Sequence, residues 1–304
     1  MRIQTRMAIG TRWTPWVIAI LAWFAVSCTG TESPPSEDLG PRAATADRDF
    51  DRASLNDIYG QVLQFADSRG RVRYSDLKSD RASLDQFVSQ LRRLGRETYE
   101  SWPTPARIAF WINAYNALTL RAVIDHYPIR SSFLASLRFP SNSIRQIPGV
   151  WDEWTFEVMG RTLTLDGIEH GILRKQFTEP RIHMALVCAA VGCPPLRAEP
   201  YSGEDLDAQL EDQTRRFLAD PTKFRVDRKD HIVLLSPIFE WYGEDFVGRY
   251  TPASGFSHHD AQIAAVLNFI GLHVSPELRS YLAKGDYDVR YLGYDWSLNE
   301  RDHG

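Results

Sequence analysis

The feature that most constrains the fold is a run of 13 residues without a charge, from Ile108 to Leu120 (IAFWINAYNALTL). Thr104-Pro105 precedes this run, and an N-cap residue followed by proline is typical of a helix start. Pro128 predicts that the helix ends near His126. Because a helix that is apolar on every side is buried, the sequence predicts a helix from Thr104 to about His126 at the centre of the domain.

Short strands and amphipathic helices are predicted around this helix. Phe156–Val158 and Arg161–Leu163 flank Met159-Gly160 and predict a hairpin in which Gly160 takes a positive φ. Further predicted elements are a helix over 164–177, a strand over 181–188, a hairpin of 224–226 with 231–235, a helix over 260–272 and a strand over 288–292. Strands scattered among helices predict the α+β class, here a single compact domain with a buried central helix and a small mixed or antiparallel sheet.

The first 27 residues are predicted to be a signal peptide. Arg2, Arg6 and Arg12 form a basic start, and residues 16–26 are an uninterrupted apolar run. A run of 11 residues suits a signal h-region and is shorter than the roughly 20 that a membrane-spanning helix needs. The alternative is an N-terminal anchor that is not cleaved.

Residues 25–28 (AVSC) resemble the bacterial lipobox, which implies a lipid on Cys28 and attachment to a membrane. Thr29 follows the cysteine, and by resemblance to sorting in Gram-negative bacteria this favours the periplasmic face of the outer membrane. Residues 28–49 are rich in Pro, Gly, Ser, Thr and charge, and they predict a flexible linker. The globular domain is therefore expected over 50–300.

The charge of the chain argues against nucleic-acid binding. The full chain has a formal net charge of −4, and residues 1–27 contain three arginines and no acid, so the remainder carries −7. A nucleic-acid interface needs a basic face. Nothing in the sequence predicts a metal or another cofactor, and the partner beyond the membrane is left open as a small molecule, a peptide or an envelope protein.

Two cysteines other than Cys28 lie in the segment 180–196 (PRIHMALVCAAVGCPPL), at Cys188 and Cys193. In an oxidising compartment, two such cysteines predict a disulfide. Cys188 is alternatively a thiolate nucleophile beside a histidine. A zinc site that includes His183 is a weaker alternative, because the spacing matches none of the usual zinc-ligand spacings. Two free thiols are the remaining alternative.

His183 is a candidate catalytic base. Both faces of the predicted strand 181–188 are apolar, so His183 is expected to be at least half buried and to need a hydrogen-bond partner. Side chains five apart on a strand point to opposite faces. A His183–Cys188 pair therefore requires the strand to end or bulge before Cys188; the alternative is a core histidine bonded to backbone.

Glu169 is the candidate partner of His183. The apolar residues of the predicted helix 164–177 define an inner face that includes Glu169, with His170 at its edge. An inward carboxylate is costly unless it is paired. Glu169 orienting His183 would give an acid–histidine–cysteine arrangement suited to acyl transfer, with His170 as a second candidate base. The alternative is a structural contact of Glu169 with Arg181 or with backbone.

Three further residues are candidates for binding a substrate. Asn113 and Asn116 face one way on the buried helix, and buried amides must be hydrogen-bonded. They either hold a loop or present a substrate or oxyanion donor. Arg181 is the third candidate. The aromatic groups 239–242 and 291–296 are expected to be core.

Five ordered segments resemble the bacterial branch of domain-of-unknown-function family 547, and they are 110–118, 165–174, 180–196, 238–246 and 294–299. The resemblance implies a globular domain over roughly 50–300, often found on secreted or lipid-anchored proteins. It also implies a relation to papain-like or transglutaminase-like thiol enzymes. Those enzymes place the cysteine before the histidine, whereas His170 and His183 here precede Cys188.

Two functions remain for an envelope lipoprotein of this kind. The first is a thiol-dependent hydrolase or acyltransferase on amide or peptide-like substrates, with Cys188 as nucleophile, His183 or His170 as base and Glu169 as its orienter. The second is a non-catalytic binding or structural module that a Cys188–Cys193 disulfide staples.

Overall fold

The computed structural model describes residues 51–256 and 258–301. The predicted signal peptide (1–27), the lipid on Cys28 and the linker (28–49) lie outside the described residues. Among the described helices, none combines the length and the apolar character that crossing a bilayer requires.

Helices make up most of the described chain. The first half contains α1 (Arg52–Leu63), α2 (Tyr74–Ser79), α3 (Ala82–Arg93), α4 (Arg96–Glu100), α5 (Thr104–His126) and α6 (Phe133–Ser136). The second half contains α7 (Leu165–Ile168), α8 (Arg174–Gln176), α9 (Leu206–Ala219), α10 (Ile238–Trp241), α11 (Gly243–Tyr250), α12 (Ala261–His273) and α13 (Pro276–Lys284). Two 3-10 turns, Ile144–Gln146 and Pro180–Met184, and one π-helical turn, Glu169–Leu173, complete the helical structure.

Five short strands form two small sheets. β1 (Phe156–Val158) pairs antiparallel with β2 (Arg161–Leu163). β3 (Phe224–Asp227) pairs antiparallel with β4 (Ile232–Leu235), and β5 (Asp288–Tyr291) adds to β4 in parallel. The crossover from β4 to β5 carries α10 to α13. This arrangement confirms the predicted α+β class with a small mixed sheet.

Helix α5 is buried along most of its length, as its sequence predicts. It runs from Thr104 to His126, and buried positions continue without a break from Ile108 to Leu120. The indole N–H of Trp111 donates to the hydroxyl of Tyr99 at 2.7 Å, so even the ring nitrogen is satisfied in the interior. The helix lies at the centre of the larger of two hydrophobic clusters.

The second hydrophobic cluster is built from α9, α11, α12 and the three-stranded sheet. Met184 belongs to this cluster, whereas its neighbours Ala185 and Leu186 belong to the cluster around α5. Tyr294 packs against both clusters. The chain from 180 to 196 therefore runs along the junction of the two, where the candidate residues of the sequence lie.

The predicted strand over 181–188 is wrong. Pro180 starts a 3-10 turn, and the carboxylate of Glu179 accepts from the backbone N–H of Arg181 at its start. The apolar residues that suggested a sheet are buried between two clusters of side chains instead. The predicted helix over 164–177 forms, but a π turn over Glu169–Leu173 interrupts it, and such turns are frequent at functional sites.

Candidate functional site

A cavity of about 560 Å³ opens beside the segment 180–196. Seven aromatic residues line much of it, and they are Tyr115, Phe139, Trp151, Trp241, Tyr242, Tyr294 and Trp296. Its charged and polar groups include Arg145, His183 and the acids Asp152, Asp166 and Glu169, and both Cys188 and Cys193 lie in its wall. A cavity of this volume, apolar with a few convergent polar groups, has the character of a small-molecule site.

The two cysteines in the wall are joined. Cys188 and Cys193 form a disulfide with a Cα–Cα distance of 6.0 Å, an ordinary separation for such a bond. The hydroxyl of Tyr294 lies 3.2 Å from the sulfur of Cys188 and 3.1 Å from that of Cys193. The predicted disulfide is therefore present, and in this state Cys188 has no thiolate to act as a nucleophile. The free-thiol and zinc alternatives for these two cysteines do not describe this structure.

His183 is buried and held by a partner that the sequence did not indicate. Its Nε2 lies 2.7 Å from Oδ2 of Asp245, and its ring stacks on that of Tyr242 with centroids 4.1 Å apart. The guanidinium of Arg174 donates two hydrogen bonds to the same carboxylate, at 2.6 and 2.8 Å. The proposed pairing of His183 with Glu169 is a misassignment, because Asp245 on α11 takes that place.

The charge of Asp245 is stabilised from two sides. Burial alone would raise the pKa of this carboxyl, but the hydrogen bonds from Arg174 and His183 outweigh burial and hold its pKa well below the usual range. The contact with this carboxylate fixes the position of the His183 ring.

Glu169 faces the cavity from the π turn and is engaged by two tyrosines. The hydroxyls of Tyr115 and Tyr242 lie near its carboxylate. Burial, reinforced by the negative charge of Glu169, raises the pKa of both hydroxyls well above the usual range, so both stay protonated donors. Protonated hydroxyls beside a buried carboxylate lower the cost of its burial.

The two asparagines of α5 hold loops. Asn116 donates to the carbonyl of Ala185 at 3.0 Å and accepts from the N–H of Val187 at 2.9 Å. Asn113 makes the same pair of bonds, at 2.8 and 2.9 Å, with the carbonyl and N–H of Tyr201. Neither lines the cavity beside 180–196. Asn116 thus positions the chain that leads into the disulfide, which is the loop-holding alternative of the prediction, and Asn113 lies in the wall of a separate cavity.

Arg181 and His170 lie away from the cavity lining. The buried guanidinium of Arg181 pairs with Glu179 at 2.7 Å and with Asp207 at 2.8 Å. His170 is exposed, and its Nδ1 accepts from Arg174 at 3.0 Å. Neither residue is placed to touch a ligand in this cavity, so the structure separates them from the other candidates.

Arg145 and the late aromatic residues belong to the site and were missed in the sequence. The guanidinium of Arg145 lies 4.5 Å from the ring centroid of Phe139, 5.3 Å from that of Trp151 and 5.1 Å from that of Trp296. Burial lowers the pKa of this arginine. Within the described part of the chain, it forms no ion pair. The aromatic group 291–296, expected to be core, instead lines the cavity with Tyr294 and Trp296.

The fold and the cavity define a class: a single α+β domain around a buried helix, with an aromatic cavity that a disulfide closes on one side. Residues 99–218 match the model of the family described as "Protein of unknown function, DUF547", and this match supports the family that the five segments resemble. No curated protein and no solved structure matches the chain. The matched segment contains α5, Glu169, His183 and the disulfide, whereas Asp245 lies beyond it.

Proposed function

We propose that the chain is a binding module of the cell envelope whose aromatic cavity takes a small ligand with a planar or apolar body and an anionic group. The observation that carries this proposal is Arg145, a cation among three rings with no ion-pair partner among the described residues. A carboxylate or phosphate of the ligand would supply that partner.

The other groups at the cavity support binding rather than chemistry. The sulfur of Cys188 is bonded to Cys193, His183 is hydrogen-bonded to Asp245, and the hydroxyls near Glu169 stay protonated. A preorganised wall of this kind costs little conformational entropy when a ligand binds. The rings supply apolar area and stacking surfaces for a flat ligand.

The test compares two probes of the same shape, 2-naphthoate and 2-naphthamide, by isothermal titration calorimetry on the full chain. We expect the carboxylate to bind about tenfold more tightly, because a charge-assisted hydrogen bond contributes about 1.5–3 kcal/mol. Arg145→Met should remove this preference. Arg138→Met is the matched control, since Arg138 lies in the same segment but outside the cavity lining. Equal affinities for both probes, or no binding of either, would contradict the proposal.

A thiol-dependent hydrolase or acyltransferase is a second candidate, favoured by one specific observation. His183, oriented by Asp245, and the sulfur of Cys188 line the same cavity. After reduction, the thiolate of Cys188 would attack an acyl carbon, His183 would protonate the leaving amine, and water would hydrolyse the thioester.

This candidate requires activity that appears only with a reductant. The measurement is hydrolysis of an amide library by the reduced full chain, with Cys188→Ala expected to be inactive and Cys193→Ala to retain activity. Equal rates for the reduced protein and for Cys188→Ala would exclude the enzyme.

We further propose that this chain belongs to the bacterial branch of its family and that a lipid on Cys28 holds it at a membrane in the cell envelope. Support comes from the apolar run 16–26 before Cys28 and from three exposed apolar residues of the domain, Phe133, Leu134 and Leu137. No acidic residue occurs from 126 to 151, so this surface suits an anionic bilayer. Metabolic labelling with palmitate tests the anchor: the wild type should be labelled and Cys28→Ser should not, whereas an unlabelled wild type would contradict it.

A further inference from the structure

A second cavity, of about 410 Å³, shares Cys193 and Pro194 with the first. It is lined by the loop 68–71, by residues of the segment 190–195, by the end of α9 and by Asn299. Nothing in the proposed function uses it. Its lining differs from that of the aromatic cavity, because cations dominate its charged groups.

Four cations line this second cavity, and they are Arg69, Arg71, Arg216 and Lys223. The one acidic residue in the lining is Asp220. Within the described ranges, none of the four cations makes an ion pair with a carboxylate. This concentration of positive charge stands out in a chain whose net charge is −4.

Backbone carbonyl groups hold three of the four cations in place. Arg71 donates to the carbonyl of Glu300 at 3.4 Å, Arg216 donates to that of Ser68 at 2.7 Å, and Lys223 donates to that of Val191. Carbonyl partners fix the positions of these side chains without neutralising their charges. Arg71 repels the ammonium of Lys223, and an anion between the two would reduce this cost.

Lys223 is the most deeply buried of the four cations, because only 4% of this residue is exposed. Burial lowers the pKa of its ammonium, and Arg71 adds to this effect while Asp220 and Asp295 oppose it. A buried ammonium is expensive unless something in the site compensates its charge.

The loop that carries Arg69 and Arg71 is fixed against the opposite wall. Gly70 has a φ of +73°, and a Cβ at this position would lie 2.3 Å from the backbone nitrogen of Leu196. Asn299 donates to the carbonyl of Gly70 at 3.1 Å and accepts from the hydroxyl of Tyr74 at 2.6 Å. The backbone that carries Arg69 and Arg71 is therefore fixed in place.

We propose that this second cavity is a binding site for a phosphate group, either free or as a monoester. Guanidinium groups match phosphate oxygens with paired donors, and the ammonium of Lys223 adds a point charge. A dianion would offset the repulsion among the four cations, which a monovalent ion such as chloride would do less well. The site is separate from the aromatic cavity in its lining and in its ligand.

The test uses isothermal titration calorimetry on the full chain with inorganic phosphate, with glycerol 3-phosphate and with chloride, all at one ionic strength. Tighter binding of inorganic phosphate identifies the free ion as ligand, and tighter binding of glycerol 3-phosphate identifies an ester. We expect Arg216→Gln to weaken phosphate binding about tenfold or more, as loss of a charge-assisted hydrogen bond predicts.

Arg215→Gln is the matched control, because this neighbour on α9 pairs with Glu211 and does not line the cavity. It should bind phosphate like the wild type. Lys223→Met gives a second variant if Arg216→Gln does not fold, and it should also lose phosphate. Unchanged binding in both cavity variants would overturn the proposal, as would a wild type that binds chloride as well as either phosphate or that binds neither phosphate.

Discussion

Nε2 of His183 lies 2.7 Å from Oδ2 of Asp245, although 62 residues separate the two in the chain. Arg174 completes the contact with two hydrogen bonds to the same carboxylate. Asp245 thus ties the 3-10 turn that bears His183 to α8 and α11. Because the family match ends at residue 218, this tie joins the matched segment to the part of the chain beyond it.

Removing the charge of Asp245 should destabilise the fold. Asp245→Asn leaves Arg174 and the buried His183 without their carboxylate, which we expect to cost about 2 kcal/mol in the free energy of unfolding at pH 7. Urea unfolding followed by circular dichroism measures this difference. Asp207→Asn is a control, because the carboxylate of Asp207 pairs with Arg181 but is largely exposed. An equal loss of unfolding free energy in both variants would contradict a special role for Asp245.

The same contact predicts a dependence of stability on pH. The pKa of Asp245 is lowered in the folded protein, so its contribution to stability is full above the unfolded pKa of about 3.9 and is lost as the pH falls toward the folded value. The stability difference between the wild type and Asp245→Asn should therefore shrink below about pH 4. A difference that stays constant down to pH 2 would count against the assigned protonation.

Asn116 is expected to hold the segment that leads into the disulfide. Asn116→Ala removes both amide bonds to Ala185 and Val187, and we expect a loss of about 2–4 kcal/mol because buried backbone groups are left unsatisfied. The disulfide should also be reduced faster by dithiothreitol. Asn113→Ala provides the matched control, since it frees the backbone of Tyr201 instead. Asn113→Ala should lose similar stability, but its disulfide should not be reduced faster than that of the wild type. Equal rates of disulfide reduction in the two variants would contradict the role assigned to Asn116.

The disulfide should stabilise the domain modestly, because it closes a short loop. Cys188 and Cys193 are five positions apart, and the chain-entropy relation gives about 2 kcal/mol for a loop of this length. The double variant Cys188→Ala, Cys193→Ala should unfold at correspondingly lower urea concentration, and the wild type should match it in the presence of reductant. A wild type whose unfolding does not respond to reductant would contradict the prediction.

Gly192 should tolerate no side chain. A Cβ there would lie 2.8 Å from ring carbons of Tyr294, and the N–H of Gly192 is fixed to the carbonyl of Asp295 at 2.7 Å. We expect Gly192→Ala to push Tyr294 away from the sulfurs and to cost about 1–3 kcal/mol by overpacking. Gly171→Ala is the control, since nothing lies within 4 Å of a Cβ at that position. A melting temperature for Gly192→Ala as high as that of the control would show that Tyr294 moves without cost.

The elements whose signals lie within their own sequence were predicted correctly. The absence of charge from Ile108 to Leu120 predicts the buried helix α5 within a residue of its start, and Gly160 predicts the β1–β2 hairpin, because each signal lies within the element itself. The disulfide followed from the cysteine count and the expected compartment. These predictions did not depend on knowing which segments meet.

Long-range pairing could not be predicted in the same way. The apolar run within 181–188 suggested a strand, but the side chain of Asn116 bonds the backbone of Ala185 and Val187, where a strand would need a neighbouring strand. Glu169 and Asp245 are both acidic residues that could meet His183, and only the packing of α11 selects Asp245. The resemblance over 238–246 and 294–299 was the signal that could have drawn Tyr242, Asp245 and Trp296 into the site.

The most direct test of the account is the redox state of the cavity wall in protein taken from cells without reductant. The full chain is denatured, alkylated with N-ethylmaleimide and mapped by mass spectrometry. We expect Cys188 and Cys193 to be recovered as one linked, unlabelled pair, which leaves a binding cavity without a nucleophile. Full labelling of both cysteines would contradict it, because Cys188 would then face the cavity beside His183 as a free thiol.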